Sequence, residues 1–562
     1  MEDVLRTAIA DALQELGFGE VAFSLEHPEN LAFGDYACNV AMVVAKEAGK
    51  APRVIAEQLL AVLTDQIEYV EKIEVAGAGF LNFYLSRDFF VAEIERALKL
   101  GQEWGKNNSL EGKKYIVEYT DPNPFKEFHI GHLFTNTVGE SIARLCMMQG
   151  ADTKRVNYQG DIGLHVAHAI YGMQKMGLNA EGDFSPADLG KAYALGATAY
   201  KTDEEAQKEI REINKKIYEG KDKSIMDLYE KGRFISLAYF ESIYALIGTK
   251  FDAYFFESEG ATKGKELVLA HREVFIESDG ARVFEGEKYG LHTRVFLNKE
   301  GLPTYEAKEL ALAKMKEDSL GVYDHSIIST SNEITEYFKV LKKAMSFVYP
   351  DLSEKTEHIG HGTVRLTSGK MSSRTGDVIP TVAFIEEVAS AVIKKVQESG
   401  NAHEVSEKLA QDIAIGAIKY ATLKSNILQD STFDKDQALS FEGNSGPYLQ
   451  YTFARICSAV EKASELGIKA SSVTFPATPF PVEHLLYRFP EVIEKAFENR
   501  APHLVATYLT QLASAFNTFY AVEKIADTND EFAPYKVALA NAVAQTLKNG
   551  LWVLGIKAPT SM

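Results

Sequence analysis

The chain has 562 residues, of which 46% are hydrophobic and 25% are charged, as expected for a globular protein of about three or four domains. Its formal net charge of −19 is not typical of a nucleic-acid-binding protein and by itself favours a cytosolic metabolic enzyme. The sequence predicts no membrane span and no signal peptide. Its three cysteines are far apart, so we expect neither a disulfide framework nor a cysteine-rich zinc site, and a reducing cytoplasm is the simplest location.

Residues 1–105 are predicted to form a small α/β domain. Apolar residues recur at helical spacing from Val4 to Leu16, and a second helix is expected around residues 53–63. An aromatic-rich strand follows at residues 80–85, and residues 101–112 are a polar linker.

Residues 112–380 are predicted to form a parallel α/β domain, because strands and helices alternate from the strand at Tyr115 onward. A helical insertion is expected at about residues 185–300, and its first part, to residue 244, is almost entirely helical in pattern. Residues 381–562 form the third predicted domain. It is helical throughout, with a Ser-, Thr- and Pro-rich interruption at residues 470–482.

The sharpest motif is a histidine pair between the strand at Tyr115 and the helix that follows. His129 and His132 are three residues apart at the predicted helix start, where free N–H groups and the helix dipole favour an anion. Gly131 lies between them and lets a flat group approach the backbone. Imidazole donors here suit the α-phosphate and transition state of adenylate formation. An isolated H-x-x-H is usually only a helix start, so the context carries this interpretation.

The same tetrapeptide recurs at His358-Ile359-Gly360-His361. It runs into an alternating segment, residues 362–366, that predicts a strand and not a helix. Because no helix dipole would face these histidines, we interpret the second copy as coincidence.

A second candidate phosphate site is the segment Ser368-Gly369-Lys370-Met371-Ser372-Ser373-Arg374-Thr375-Gly376-Asp377. Small residues and two glycines predict a mobile loop whose two cations can close over a triphosphate. Taken alone, the segment is more often just an exposed polar loop.

The two segments together resemble the signature pair of class I aminoacyl-tRNA synthetases, which implies a Rossmann-type catalytic domain. Further segments resemble the arginyl members of that class, and the resemblance extends over the whole chain. These segments are Glu118-Tyr119-Thr120-Asp121-Pro122-Asn123-Pro124, Gly160-Asp161-Ile162-Gly163, Pro303-Thr304-Tyr305-Glu306-Ala307-Lys308-Glu309 and Leu439-Ser440-Phe441-Glu442-Gly443-Asn444-Ser445-Gly446-Pro447-Tyr448-Leu449-Gln450-Tyr451.

The resemblance implies ATP-dependent ligation of L-arginine to its tRNA through an arginyl-adenylate, with release of AMP and pyrophosphate. It implies a catalytic set of His129, His132, Lys370 and Lys126. The implied ATP-binding residues are Gly131, Met371, Ser372, Ser373 and Arg374. The implied arginine-binding residues are Glu118, Asn123, Tyr305, Glu309 and Glu333. Paired carboxylates suit the fork of five donors on a guanidinium.

Some positions depart from the family pattern. Glu309 stands where the family more often has Asp, Asp121 replaces a common Ser, and Phe134 replaces a common Arg. Glu333 stands at a frequent Gln. Ser373 replaces the usual second lysine, whose charge Arg374 or Lys126 could supply.

The outer domains resemble the tRNA-elbow domain and the anticodon-binding domain of the family. Aromatic residues beside amides suit stacking on unpaired bases. The implied tRNA-binding residues are Phe80, Asn82, Tyr448, Gln450, Tyr451 and Arg455; for the aromatics of the first domain a purely structural role in the core is equally common.

The expected ligands are ATP as its Mg²⁺ complex, L-arginine and the tRNA for arginine, with no structural metal, no membrane partner and a monomeric state. Three alternatives remain. A silent paralogue would bind tRNA or arginine without making adenylate, although both signature elements are present. A metal hydrolase could use the two H-x-x-H pairs, but zinc sites on helices prefer H-E-x-x-H. A synthetase for another amino acid is the third, and the cysteine enzyme is disfavoured because its zinc-binding cysteines have no counterpart.

Overall fold

The computed structural model describes residues 1–367, 379–398 and 405–562. Predicted loop residues Lys370, Met371, Ser372, Ser373 and Arg374 lie outside these ranges. None of the helices in the described ranges is long and apolar enough to span a membrane.

The N-terminal part is an antiparallel sheet covered by helices. Its elements are α1 (Glu2–Glu15), β1 (Leu25–Glu26), β2 (Tyr36–Cys38), α2 (Val40–Ala48), α3 (Pro52–Leu63), β3 (Val70–Ala76), β4 (Phe80–Leu85) and α4 (Arg87–Leu100). The strands lie in the order β1-β2-β4-β3. Their apolar faces form a core of their own with α1, α2 and α3. Ser86 caps α4 by accepting a hydrogen bond from the N–H of Phe89.

The central part is a parallel sheet flanked by helices. Its first elements are β5 (Lys114–Tyr119), α5 (Ile130–Met148), β6 (Asp152–Gln159) and α6 (Leu164–Lys175). The insertion follows as α7 (Pro186–Thr202), α8 (Glu204–Glu219) and α9 (Lys223–Ile247). The chain continues through β7 (Ala253–Phe256), α10 (Glu257–Ala270), β8 (Ile276–Ser278), β9 (Ala281–Phe284), β10 (Arg294–Leu297), α11 (Tyr305–Leu320), β11 (His325–Ser331), α12 (Thr335–Val348), α13 (Pro350–Lys355), β12 (Thr356–His361) and β13 (Val364–Leu366).

Five strands of this part form one sheet in the order β12-β11-β5-β6-β7, and every neighbouring pair is parallel. The chain builds outward from β5 to β7 and then returns to add β11 and β12 on the opposite side. The strand order therefore reverses between β5 and β11. In open parallel sheets a ligand binds beyond the carboxyl ends of the strands at such a point.

The C-terminal part is helical. Its elements are α14 (Thr381–Glu398), α15 (Glu407–Leu423), β14 (Ser431–Phe433), α16 (Lys435–Ala438), α17 (Gly446–Glu465), α18 (Glu483–Leu486), α19 (Phe489–Glu498), α20 (Pro502–Val522) and α21 (Ala533–Val553). Its hydrophobic core is continuous with one face of the central sheet.

Helix α5 connects these two layers and is buried along most of its length. It packs on β5 on one side and on helices of the C-terminal part on the other. Gly139 permits the close approach to β5, because a Cβ atom there would lie 2.2 Å from the Cβ atom of Tyr119. The helix that begins at His129 is therefore packed closely between the sheet and the C-terminal helices.

The expected fold class is confirmed: a Rossmann-type parallel sheet with a helical insertion, a small α/β part before it and a helical part after it. The sequence did not predict the small antiparallel sheet of β8, β9 and β10, nor the parallel pairing of β13 with β14. The proposed limits of the three domains remain predictions.

Candidate active site

The signature histidines lie at the carboxyl edge of the sheet, at the start of α5. His129 is the N-cap residue, and its Nδ1 accepts a hydrogen bond from the N–H of Gly131 at 3.1 Å. Nδ1 of His132 accepts one from the N–H of His129 at 3.2 Å. The two rings stack with centroids 3.8 Å apart. Each ring thus has its Nδ1 fixed by the helix start, and its Nε2 can carry a proton toward a ligand.

Burial and the nearby charge of Lys126 lower the pKa of His129 to about 4. Burial also holds the pKa of His132 well below its ordinary value, with His129 and Lys126 adding to the effect. Both imidazoles are therefore neutral donors near pH 7. A Cβ atom on residue 131 would lie 2.9 Å from the His129 ring, so Gly131 is required by this packing.

The signature helix start also adjoins the chain that leaves the predicted Lys-Met-Ser loop. The N–H of Ile130 donates to the carbonyl of Ile379 at 3.1 Å, and the N–H of Thr381 donates to that of Phe128 at 2.9 Å. Residues 379–381, which follow that segment in sequence, thus contact the start of α5 at this edge of the sheet.

A buried acidic pocket lies between β5 and α11. Glu118, on β5, is 1% exposed, and Glu309, on the first turns of α11, is 3% exposed. Burial, then the charge of Glu118, raises the pKa of Glu309 to about 8. Asp121 follows β5 with a φ of 45°, and its carboxylate accepts from the N–H of Tyr158 at 2.8 Å. Burial and Glu118 also raise the pKa of Asp121.

Tyr305 stands at the mouth of this pocket. The residue is 38% exposed and its ring lies 5.2 Å from the ring of Tyr337, whereas burial raises the pKa of its hydroxyl group. The hydroxyl also acts as a hydrogen-bonding partner that lowers the pKa of Glu309. The structure thus brings Glu118, Tyr305 and Glu309 together, as the resemblance implied.

Asn123 and Lys126 lie in the segment between β5 and the histidine pair in sequence. A Cβ atom on Gly160 would lie 2.2 Å from Oδ1 of Asn123 and 3.0 Å from Oε1 of Glu257, so the glycine lets these groups approach. Nζ of Lys126 lies 4.8 Å from the ring centre of Tyr193, which belongs to the inserted helices. Burial lowers the pKa of Lys126.

Glu333 lies farther out, in a short 3-10 turn after β11. It is exposed, and its backbone N–H donates to Oγ of Ser331 at 3.4 Å. Its place at the carboxyl end of β11 is consistent with the predicted substrate contact, which remains a prediction.

The second histidine pair lies in β12 and not at a helix start. His358 stacks on Phe338 with ring centroids 3.9 Å apart, and its Nε2 pairs with Oγ1 of Thr330 at 2.8 Å. His361 contacts Oγ1 of Thr135 at 3.0 Å. Both rings have structural partners, as their strand context indicated. In the described ranges no three His, Cys, Asp or Glu side chains are grouped as a metal-binding set.

The sequence interpretation missed several charged groups. Lys316 of α11 pairs with Glu118, and Lys308 of the same helix pairs with Glu257. The spacing of eight residues between the two lysines was visible, but their partners depend on strand placement. A third histidine pair, His165 and His168, was also missed; Nε2 of His165 lies 2.6 Å from the carbonyl oxygen of Gly160.

The predicted tRNA-binding residues divide into exposed and buried groups. Phe80 is 39% exposed and Tyr451 is 37% exposed. Tyr451 lines a cavity of about 870 Å³, and the guanidinium of Arg455 lies 4.7 Å from its ring centre. The hydroxyl of Tyr448 accepts from Nδ2 of Asn517 at 3.1 Å.

Asn82 and Gln450 do not reach the surface. Asn82 is 3% exposed within the sheet, and Gln450 is 0% exposed, with its amide donating to the carbonyl of Lys557 at 2.9 Å. Direct base contacts by these two side chains do not fit this structure, because both amides are enclosed by the protein.

Taken together, a parallel sheet whose first strand leads into a helix that begins at a histidine pair, with buried carboxyl groups at the end of that strand, indicates a class I aminoacyl-tRNA synthetase. Residues 93–435 match the family described as tRNA synthetases class I (R), catalytic domain. Residues 449–562 match the DALR anticodon binding domain, and residues 3–85 match the arginyl tRNA synthetase N terminal domain.

Individual relatives agree with these matches. The chain is 30% identical over 566 residues to an arginine–tRNA ligase of Streptococcus pyogenes, which covers 100% of this chain and 99% of the relative. It is 30% identical over 551 residues to one of Clostridium kluyveri, covering 96% of each. The Thermus thermophilus arginyl-tRNA synthetase structure is similar with a TM-score of 0.80, 27% identity and full coverage of both chains. The chain belongs to the arginyl-tRNA synthetase family.

Proposed function

We propose that this chain activates L-arginine with ATP in the pocket of Glu118, Tyr305 and Glu309 and transfers it to tRNA. The observation that carries the proposal is the pair of buried carboxyl groups beside the neutral histidines. Buried carboxyl groups are costly unless they meet a cation, and a guanidinium offers five donors to them. The family membership supplies the reaction type, an ATP-dependent aminoacylation through an adenylate.

The reaction follows from this arrangement. The carboxylate oxygen of arginine attacks the α-phosphorus of ATP, the bond to the β-phosphate oxygen breaks, and pyrophosphate leaves. Nε2–H groups of His129 and His132 donate to the phosphate oxygens, where charge develops in the transition state. Because both imidazoles are neutral, they donate hydrogen bonds without a change of protonation state.

Binding of arginine at both ends positions that attack. Glu118 and Glu309 accept from the guanidinium, Tyr305 lines the pocket, and Asn123 holds the α-amino and carboxylate end. Glu333 at the carboxyl end of β11 contributes a substrate contact. Lys126 and the loop residues Lys370 and Arg374 stabilise the triphosphate, with Gly131, Met371, Ser372 and Ser373 forming the rest of the nucleotide site. The ATP is used as its Mg²⁺ complex, so the metal belongs to the substrate.

In the second step the 3′-terminal ribose hydroxyl of the tRNA attacks the acyl carbon of the adenylate, and AMP leaves. The N-terminal part binds the tRNA elbow through Phe80, and the C-terminal part binds the anticodon through Tyr448, Tyr451 and Arg455. We further propose that the protein acts in the cytoplasm as a monomer. Its three free cysteines suit a reducing compartment.

Pyrophosphate exchange into ATP, measured with each amino acid in turn and with and without tRNA, tests the proposal. Arginine is expected to support exchange, and only with tRNA present, which is a property of the family. Exchange with lysine or glutamate at comparable efficiency would contradict the assignment of the pocket. No exchange under any condition would favour a silent paralogue. Light scattering at working concentration tests the monomeric state.

A further inference from the structure

A buried lysine contacts one of the carboxyl groups of the proposed arginine pocket. Lys316, on α11, is 2% exposed, and its ammonium forms an ion pair with Oε2 of Glu118, which is 1% exposed. Burying an ammonium is expensive unless it is paired, and it restricts where its partner can lie. Such a pair beneath a binding site therefore has more consequences than a surface ion pair.

Helix geometry directs Lys316 toward the same pocket as Glu309. The two residues are seven positions apart on α11, so they lie on one face, two turns from each other. Glu309 lines the pocket, and Lys316 contacts Glu118. Tyr323, which is 1% exposed and lies in the loop after the helix, contributes to raising the pKa of Lys316.

The ion pair leaves one oxygen of Glu118 for a ligand. The ion pair is formed to Oε2, which is buried, and it does not engage Oε1. A carboxylate held at one oxygen by a fixed cation has a defined orientation. It can accept from a guanidinium with the other oxygen.

The charges in the pocket make the cation necessary. The charges of Glu118 and Glu309 raise the pKa of Asp121. The charge of Glu118, and more weakly that of Glu257, raises the pKa of Glu309. Like charges in a buried site cannot all ionise, so one or more of these carboxyl groups retains a proton. Lys316 lowers the pKa of both Asp121 and Glu309. Among these carboxyl groups, Lys316 forms its ion pair with Glu118.

We propose that Lys316 is a positioning residue for arginine recognition: its buried ammonium pairs with Glu118 and orients that carboxylate, so that the pocket accepts a guanidinium and rejects an uncharged isostere. This inference rests on the proposed function, because it assigns arginine to the same pocket. Without Lys316, Glu118 loses its buried counter-ion and the contact that orients it. A carboxyl group that is no longer held in this way discriminates less between the guanidinium of arginine and the uncharged ureido group of citrulline.

The test compares Lys316→Met and Lys316→Arg with the wild type in arginine-dependent aminoacylation. For Lys316→Met we expect KM for arginine to rise roughly 10–100-fold at neutral pH, the loss expected for a charge-assisted contact. KM for ATP should change little. The rise should diminish as pH increases, because loss of the Lys316 charge raises the pKa of Glu309 further and a higher pH is then needed to ionise it. Lys316→Arg keeps the charge and should restore KM to within roughly threefold of wild type.

Citrulline gives the second readout. In Lys316→Met the ratio of arginine affinity to citrulline affinity should fall, whereas a merely structural role for Lys316 would weaken both alike. Lys536→Met is the matched control: Lys536 is also buried and paired with carboxylates, Glu523 and Asp530, but lies in the C-terminal part. It should lower stability and leave the arginine pH profile as in wild type.

The outcomes separate this inference from the proposed function. If Lys316→Met keeps the wild-type KM, pH profile and citrulline discrimination while Glu118→Gln loses arginine, the role of Lys316 is wrong and the pocket stands. If the wild type does not aminoacylate tRNA with arginine, both the role of Lys316 and the proposed function are wrong. Should Lys316→Met not fold, Lys316→Gln keeps a donor for Glu118 without the charge, and the same rise in KM is expected of it.

Discussion

His129 and His132 differ from His358 and His361 in surroundings, although both pairs have the same spacing. The first pair caps a helix and has its Nδ1 atoms fixed by backbone N–H groups. The second pair lies in a strand, where the ring of His358 packs on Phe338 and both rings form hydrogen bonds with threonine hydroxyl groups. The sequence could distinguish the pairs because the segment after each one has a different hydrophobic period.

Replacing His129 or His132 by alanine should therefore slow adenylate formation by about 100–1000-fold, the effect of losing one transition-state donor. His358→Ala and His361→Ala should retain activity within roughly tenfold and lower stability instead, because their contacts are structural. Single-turnover adenylation and thermal unfolding separate the two effects. Equal sensitivity of both pairs would contradict the assignment.

Glu309 gives a pH prediction with a definite sign. Its pKa is raised to about 8, first by burial and then by Glu118, so it holds a proton more tightly in the folded protein than in the unfolded chain. Without arginine, this group's contribution to stability is therefore lost as pH rises from about 4.5 toward 8. Arginine stays cationic throughout this range and favours the ionised form.

Arginine affinity is accordingly expected to increase with pH by at most about tenfold per unit until pH 8, and to level off above it. Calorimetric titration with arginine at several pH values measures this. Glu309→Gln should flatten the profile. An affinity that falls as pH rises toward 8 would show that Glu309 does not meet the guanidinium.

At the scale of elements, the N-terminal part is joined to the C-terminal helices by polar contacts centred on Glu491 of α19. Its carboxylate pairs with Nε2 of His27 at 2.9 Å and accepts from the hydroxyl of Tyr36 and from the N–H of Glu2. These groups are largely buried, so loss of the carboxylate leaves several of them without a partner.

Glu491→Ala should destabilise this junction by about 1–3 kcal/mol, and the backbone amides of α1 and β2 should exchange hydrogen faster than in the wild type. Denaturant unfolding followed by exchange mapping is the measurement. Glu74→Ala, which removes a surface pair with Lys72, is the control and should change stability by no more than about 0.5 kcal/mol. If the two variants behave alike, Glu491 does not hold the junction.

The elements also show which parts of the fold can be predicted from the sequence alone. Period and caps predicted the long helices and the strands β4 and β5, because those signals are local. The pairing of β13 with β14 joins Val364 to Ser431, and the Lys316–Glu118 contact joins a helix to a strand far from it in sequence. Such contacts depend on how the elements pack against each other, and no local sequence pattern predicts them. Glu118 itself was predicted only through its motif.

At the scale of the whole molecule, a tRNA is much longer than the central sheet, so a chain acting at its acceptor end must reach its loops through other domains. The exposed aromatic residues that suit this are Phe80, near the N-terminus, and Tyr451, in the C-terminal part. Asn82 is a poorer choice than the sequence indicated, because its amide is enclosed in the sheet.

Phe80→Ala and Tyr451→Ala should each raise KM for tRNA by an amount that corresponds to about 1–3 kcal/mol of base stacking. KM for ATP and for arginine should change little at saturating tRNA, since both residues lie in parts of the fold separate from α5 and α11. Trp552, 39% exposed on α21, offers a matched control: Trp552→Ala removes a surface aromatic that already stacks on Arg144. Because the net charge is −19, few cations can meet phosphates, and tRNA affinity is expected to be modest and to fall with salt only in proportion to those few contacts. Loss of arginine binding with tRNA binding unchanged would mean that the outer parts of the chain serve the amino-acid pocket and not the tRNA.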